Sequence, residues 1–217
     1  MIHPIRLYGD PTLRRSAAPV ERFDDELAEL ANDMIETMHD AHGVGLAAPQ
    51  IGISRRIFVA TELAAPETDP TGDDSEPAES RAVDEAMSEA ESEVEDAVVA
   101  IHIMVNPEVT IRSGVQHGPD GCLSVPGLWV EEVRRDATIG VRYQDVSGAW
   151  HERETHGHFA HVVQHELDHL DGVLYFDRLP TDERQAFLDE HRSALAEMQR
   201  QAKALLKELR AADTVGR

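Results

Sequence analysis

The sequence predicts a compact α+β fold, and three observations carry that prediction. A run after Asp24 and Asp25 has apolar residues at helical spacing. Five short segments rich in β-branched and aromatic residues read as strands. Two later segments return to helical spacing. At 217 residues and 41% apolar composition, the chain suits one ordinary core with room for an appended segment.

In chain order, Asp24 or Asp25 can cap a helix running to about His42. Leu27, Leu30, Met34 and Met38 form its stripe, and Gly43 stops it. Strands are expected over 56–61, 98–105, 129–133, 138–143 and 150–155, with Val146, Ser147 and Gly148 turning between the last two. A helix should run from about Phe159 to Leu170. Thr181 opens a last helix, with Phe187, Ala194, Met198, Leu205 and Leu209 as its apolar positions. Between the first two strands lies a segment of different character. Residues 66–96 hold thirteen acids and one base, Arg81. Their first half has almost nothing to bury and reads as disordered or a mobile loop. Met87, Ala90, Val94 and Ala97 give the second half enough periodicity for a weak helix at most.

Charge narrows the partners. Forty-two acids against twenty bases give a net charge of −22, which repels phosphate backbones and argues against DNA. Outside 66–96 the balance is still 29 acids to 19 bases, or −10. Eighteen of the bases are Arg and two are Lys, Lys203 and Lys207. That pattern suits adaptation to a high-salt cytoplasm; an ordinary acidic protein from an Arg-preferring host is the alternative. No run of about 18 apolar residues is present, so no membrane span is expected. The opening MIHPIRLYGDP lacks the apolar stretch of a secretory signal. Cys122 is alone and cannot form an internal disulfide. Together these features point to a reducing cytoplasm.

The strongest local signal is His165-Glu166-Leu167-Asp168-His169. On a helix, positions four apart share a face, so both imidazoles can hold one metal ion while the neighbouring Glu acts on water. Phe159, Val162, Val163 and Leu167 supply the apolar side such a helix needs. Two surface histidines would produce the same spacing. A metal also needs a third ligand. The metzincin pattern requires a histidine six residues on, where this chain has Tyr175; a downstream Glu would suit a thermolysin-like peptidase. Cys122, in the glycine-flanked turn Gly121-Cys122-Leu123-Ser124, is another candidate, although a lone Cys is commonly a small buried hydrophobe. Sulfur with imidazole suits Fe(II), Zn, Ni or Co. A third feature is Gly43-Val44-Gly45-Leu46-Ala47-Ala48-Pro49-Gln50, where glycines permit close backbone approach and Gln50 offers an amide donor. A helix C-cap followed by an ordinary loop would look similar.

Taken together and in order, GVGLAAPQ (43–50), DGCLSVPG (120–127) and QHELDHLDG (164–172) resemble the three motifs of the peptide deformylases. The opening YGDPTLRRSAAPV and the tail DGVLYFDRLP extend the resemblance over about 1–65 and 97–180; the acidic segment has no counterpart in the pattern. The resemblance implies antiparallel sheets packed around a central HExxH helix. It implies a catalytic domain over 1–180, interrupted by 66–96, with a C-terminal helix over 181–217. It implies one divalent metal, Fe(II) in the usual members, on Cys122, His165 and His169. Glu166 would be the general base, and Gln50 with the backbone N–H of Leu123 would hold the oxyanion. Gly45 would pair with substrate backbone, and Val44, Val162 and His165 would lie near a methionine pocket. The implied reaction removes formyl groups from N-formylmethionyl nascent chains, transiently near the ribosome exit. An HExxH metallopeptidase and an inactive deformylase-like module are the competing readings.

Two positions depart from the pattern. Asp120 replaces the usual Glu before Gly-Cys-Leu-Ser, and Trp129 stands where many members have Arg. The expectation is that the ion pair these positions commonly form is lost and that the shell around the metal turn is supported differently. His158 and His161, earlier on the same helix, could be extra ligands but are expected to be exposed or at the pocket edge.

Overall fold

The computed structural model describes residues 1–64 and 98–215. The disorder expected over 66–96, and the weak helix in its second half, lie outside the described residues.

Helix α1 spans Asp25–Asp40. Asp24 caps it, its carboxylate accepting the Leu27 N–H at 3.3 Å. Leu27, Leu30, Met34 and Met38 are all buried, as their spacing predicts.

Five antiparallel strands form the main sheet, in the order β1 (Gly45–Ala47), β2 (Ile57–Leu63), β3 (Val98–Ser113), β6 (Thr138–Gln144) and β7 (Trp150–His156). Strands β4 (Gln116–Gly121) and β5 (Trp129–Arg135) form a separate two-stranded ribbon. The sheet is covered on both faces, and β2 shows how. Ile57 and Val59 point into a core with α1, whereas Phe58 and Ala60 point into a core with the second helix, α2 (Gly157–Leu170). Eleven of the fourteen α2 residues are buried, so its polar side chains lie where each needs a protein partner. A third core, built on Val125, Val133, Tyr175 and Phe176, backs onto the ribbon and the C-terminal helices.

Several expectations need correction. Strand β3 continues past Val105 to Ser113, because Asn106, at φ 49°, and Pro107 are absorbed in a register shift against β6. Strands β1 and β4 are additional: β1 has only three residues, and β4 contains two glycines and Pro119, which lies in its own register shift. The last helix is two helices, α3 (Thr181–Glu190) and α4 (Arg192–Val215), broken at His191. In one continuous helix Ala194 would lie nearly under Phe187. The break instead brings the larger Leu195 into the core with Phe187 and Met198. Among the described residues, no helix is long and apolar enough to cross a membrane.

Candidate active site

Three elements meet at one point. The loop after β4 delivers Cys122, helix α2 delivers His165, Glu166 and His169, and the turn after β1 delivers Gln50. The Cys122 turn is closed by the Val125 N–H donating to the Cys122 carbonyl at 2.8 Å. Cys122 Sγ lies 3.1 Å from His169 Nε2, which in turn lies 3.1 Å from His165 Nε2. The ligand atoms of all three residues fall within 4.8 Å of one another. His165 Nδ1 sits 2.7 Å from Asp120 Oδ1. A carboxylate can only accept there, so Nδ1 carries the proton and the lone pair of the neutral ring is on Nε2, facing the sulfur. Sulfur and two imidazole nitrogens converging in this way fit a soft divalent cation.

The electrostatics agree. Burial opposes charge on His165, yet the Asp120 carboxylate and Cys122 raise its pKa well above the ordinary value. The field that favours a proton there also favours a metal cation. Burial holds His169 well below its ordinary value, and the neighbouring His165 lowers it further. Glu166 is 2% exposed, and burial pushes its carboxyl up to about 7. Its Oε2 has no hydrogen-bond partner among the described residues. A Cβ at Gly45 would overlap Glu166 Oε1, so only glycine lets the β1 backbone pass this carboxylate. A Cβ at Gly43 would come within 2.7 Å of the Leu123 side chain, so the loop and the metal turn are in contact. The Gln50 side-chain Oε1 accepts the Ala47 N–H at 2.7 Å, which turns its amide nitrogen toward Cys122 Sγ, 3.5 Å away, and Ser124 Oγ, 3.4 Å away. Val162 is buried in the core that Val44 packs against, and β1 lies at one end of the sheet order.

The ion pair between positions 120 and 129 is absent, as expected, and the metal turn is supported differently. Trp129 is 60% exposed and its indole N–H donates to Glu131, but Arg135, six residues further on, reaches Asp120 Oδ2 at 2.7 Å. Arg135 also donates to Asp168 Oδ2 at 2.5 Å, and Arg178 holds the same carboxylate at 3.0 Å through Nε. A chain of alternating charge therefore runs from buried His165 through buried Asp120, Arg135 and Asp168 to Arg178, which is exposed. Desolvation would raise the Asp120 pKa, but His165, His161 and Arg135 hold it well below the carboxylate range. Arg135 and Asp168 were not singled out from the sequence. The signal available was alternation on β5, where Val133 and Arg135 are both buried, two residues apart on one face. His158 is exposed, as expected. His161 is not a pocket-edge histidine: its ring nitrogen sits 3.0 Å from Asp120 Oδ2.

An antiparallel α+β fold wrapped around a buried HExxH helix, with a cysteine as the third soft donor, defines a narrow class of metalloprotein. Comparison with known proteins places the chain within it. A model of the polypeptide deformylase family matches residues 2–185. The peptide deformylase of Thermus thermophilus is 48% identical over 209 residues, covering 96% of this chain and 98% of that protein. That of Alkalilimnicola ehrlichii is 39% identical over 81% of this chain and 80% of its own length. The crystal structure of a Thermus thermophilus peptide deformylase superposes with a TM-score of 0.75 at 44% identity, covering 93% of this chain and 99% of its own. The Synechococcus elongatus enzyme in complex with actinonin gives 0.67 at 32% identity, covering 87% and 86%. The chain belongs to the polypeptide deformylase family.

Proposed function

We propose that this chain removes the formyl group from N-formylmethionine at the start of nascent polypeptides, releasing formate. The observation that carries this reading is the convergence of Cys122 Sγ and two imidazole nitrogens beside the buried carboxylate of Glu166, whose Oε2 has no hydrogen-bond partner among the described residues. Cys122, His165 and His169 would hold one divalent cation, Fe(II) first, with zinc, nickel or cobalt as alternatives. Such an ion supplies Lewis acidity toward water and the formyl carbonyl.

The chain's own residues do the rest. Glu166 takes the proton of the attacking water and passes it to the leaving amine as the formyl C–N bond breaks. A pKa near 7 suits a group that must both accept and return a proton. The Gln50 amide, fixed by the Ala47 N–H, and the backbone N–H of Leu123 donate to the oxyanion that develops on the formyl oxygen. Strand β1, with Gly45, receives the peptide backbone along its outer edge, a mode that tolerates many sequences after the methionine. Val44 and Val162 flank the methionine side chain.

The reading extends to the rest of the chain. Residues 1–180 form the catalytic domain, 66–96 an acidic insertion in the sequence between β2 and β3, and 181–217 a C-terminal extension that carries α3 and α4. The enzyme works in a cytoplasm, transiently near the ribosome exit, with neither DNA nor membrane as a partner. Its acid excess and Arg preference suit high salt. The deciding experiment measures formate released from a short formyl-Met peptide by the metal-loaded protein. Release that depends on Cys122 supports the deformylase. Internal peptide cleavage without formate would make the protein a metallopeptidase, and no turnover by a folded, metal-loaded protein would make it an inactive module.

A further inference from the structure

Asp120 holds His165 from behind, and three side chains hold Asp120. His165 Nδ1 takes Oδ1 at 2.7 Å; Arg135 and His161 share Oδ2 at 2.7 Å and 3.0 Å. The His161 side chain is 12% exposed and that of Asp120 is 4% exposed. His161 stands one turn before His165 on α2, so its ring and the metal-facing ring project from one helix face. Its Nε2 is buried and reaches the carboxylate off the axis of an aligned hydrogen bond. Gly118 of β4 lies against the ring, where an added Cβ would make an ordinary contact at 3.7 Å from His161 Nδ1.

We propose that His161 is a positioning residue for the metal centre: with Arg135 it fixes the Asp120 carboxylate, and through it the orientation of His165. The inference rests on the metal-centre reading given above. A carboxylate with both oxygens occupied cannot rotate, so the imidazole it grips keeps its Nε2 on the Cys122–His169 side. Asp is one methylene shorter than Glu and reaches less far. A partner on α2 itself compensates, because it moves with the helix that carries the ligands. Without His161, Oδ2 keeps only Arg135 among these partners, and Asp168 also pulls upon Arg135.

The test compares His161→Leu and His161→Asn with His161→Gln, whose amide nitrogen can occupy the place of Nε2. Zinc-loaded protein is mixed with a chromogenic chelator and the release rate is recorded. The ligand-field spectrum of cobalt-loaded protein reports the geometry of the donors. Leu and Asn should release zinc about 10-fold faster or more, the lower end of what outer partners of metal-bound histidine contribute, and should shift the cobalt spectrum. Gln should restore both to within about threefold of the parent. Because Asn is polar and short, it serves if the Leu protein does not fold. Release rates and spectra equal to the parent in all three variants would overturn the role of His161. A parent protein that binds neither zinc nor cobalt would instead overturn the metal-centre reading beneath it.

Discussion

Arg135 and Arg200 each face a carboxylate, in opposite surroundings. The Arg135 side chain is 2% exposed and lies between Asp120 and Asp168, which are nearly as enclosed. Arg200, on α4, is 67% exposed and meets Glu197 one turn earlier. Water solvates the second pair whether or not it forms, so little is lost when it breaks. In the first, each charge has given up water, and the alternating chain is what makes the burial tolerable. Identical chemistry is thus structural support for the proposed metal centre in one place and surface decoration in the other.

The comparison is most easily broken at Arg135. Arg135→Ala removes the cation shared by two buried carboxylates, leaving Asp168 to Arg178 and Asp120 to the two histidines, and should cost about 3–5 kcal/mol. Chemical denaturation will measure it; a loss no larger than that of an exposed pair would mean water already reaches the chain. Next in size is Glu166→Gln, which keeps the volume of the buried group but removes the proton acceptor. Turnover should fall by about 100-fold or more, with stoichiometric metal retained. Loss of metal with nearly normal turnover would make Glu166 a ligand rather than a base.

A smaller effect is expected from salt, which tests the surface charges collectively. The screening length shrinks from about 10 Å at 0.1 M to about 3 Å at 1 M, so the excess acids should repel one another less. The melting temperature should therefore rise as KCl is raised, while the buried chain is hardly affected. A flat or falling curve would remove the high-salt reading and leave the enzymatic one intact. The smallest effect belongs to Arg200→Ala, for which no change in melting temperature should be detectable. A clear drop would show that α4 depends on its surface pairs and not on Leu195, Met198 and Ala202.

Much of the site is legible because its signals are local. An HExxH helix needs only the i, i+4 geometry of one helix, and the Gly-Cys-Leu-Ser turn and the Gly-Leu-Ala-Ala loop are contiguous words. The Asp24 cap and the stripe of α1 are also local. Elements that lack such signals were missed. Strand β4 holds glycines and a proline where strand formers would be expected, and β1 exists because Gly45, Leu46 and Ala47 pair with Ala60, Val59 and Phe58. The break at His191 follows from which residue fills the third core, a comparison that no single helical period can make.

By itself the sequence determined the residues that converge on the proposed metal site, the helix that carries two of them, and the family. Tertiary structure alone decided what holds them. Arg135 and Asp120 are fifteen positions apart and meet across the β4–β5 ribbon. Asp168 and Arg178 close the chain from helix α2 and the turn beyond it. Charged residues carry no periodicity that names a partner. The low dielectric of the interior forces buried charges to find one another, and which ones meet is fixed only when the elements have packed.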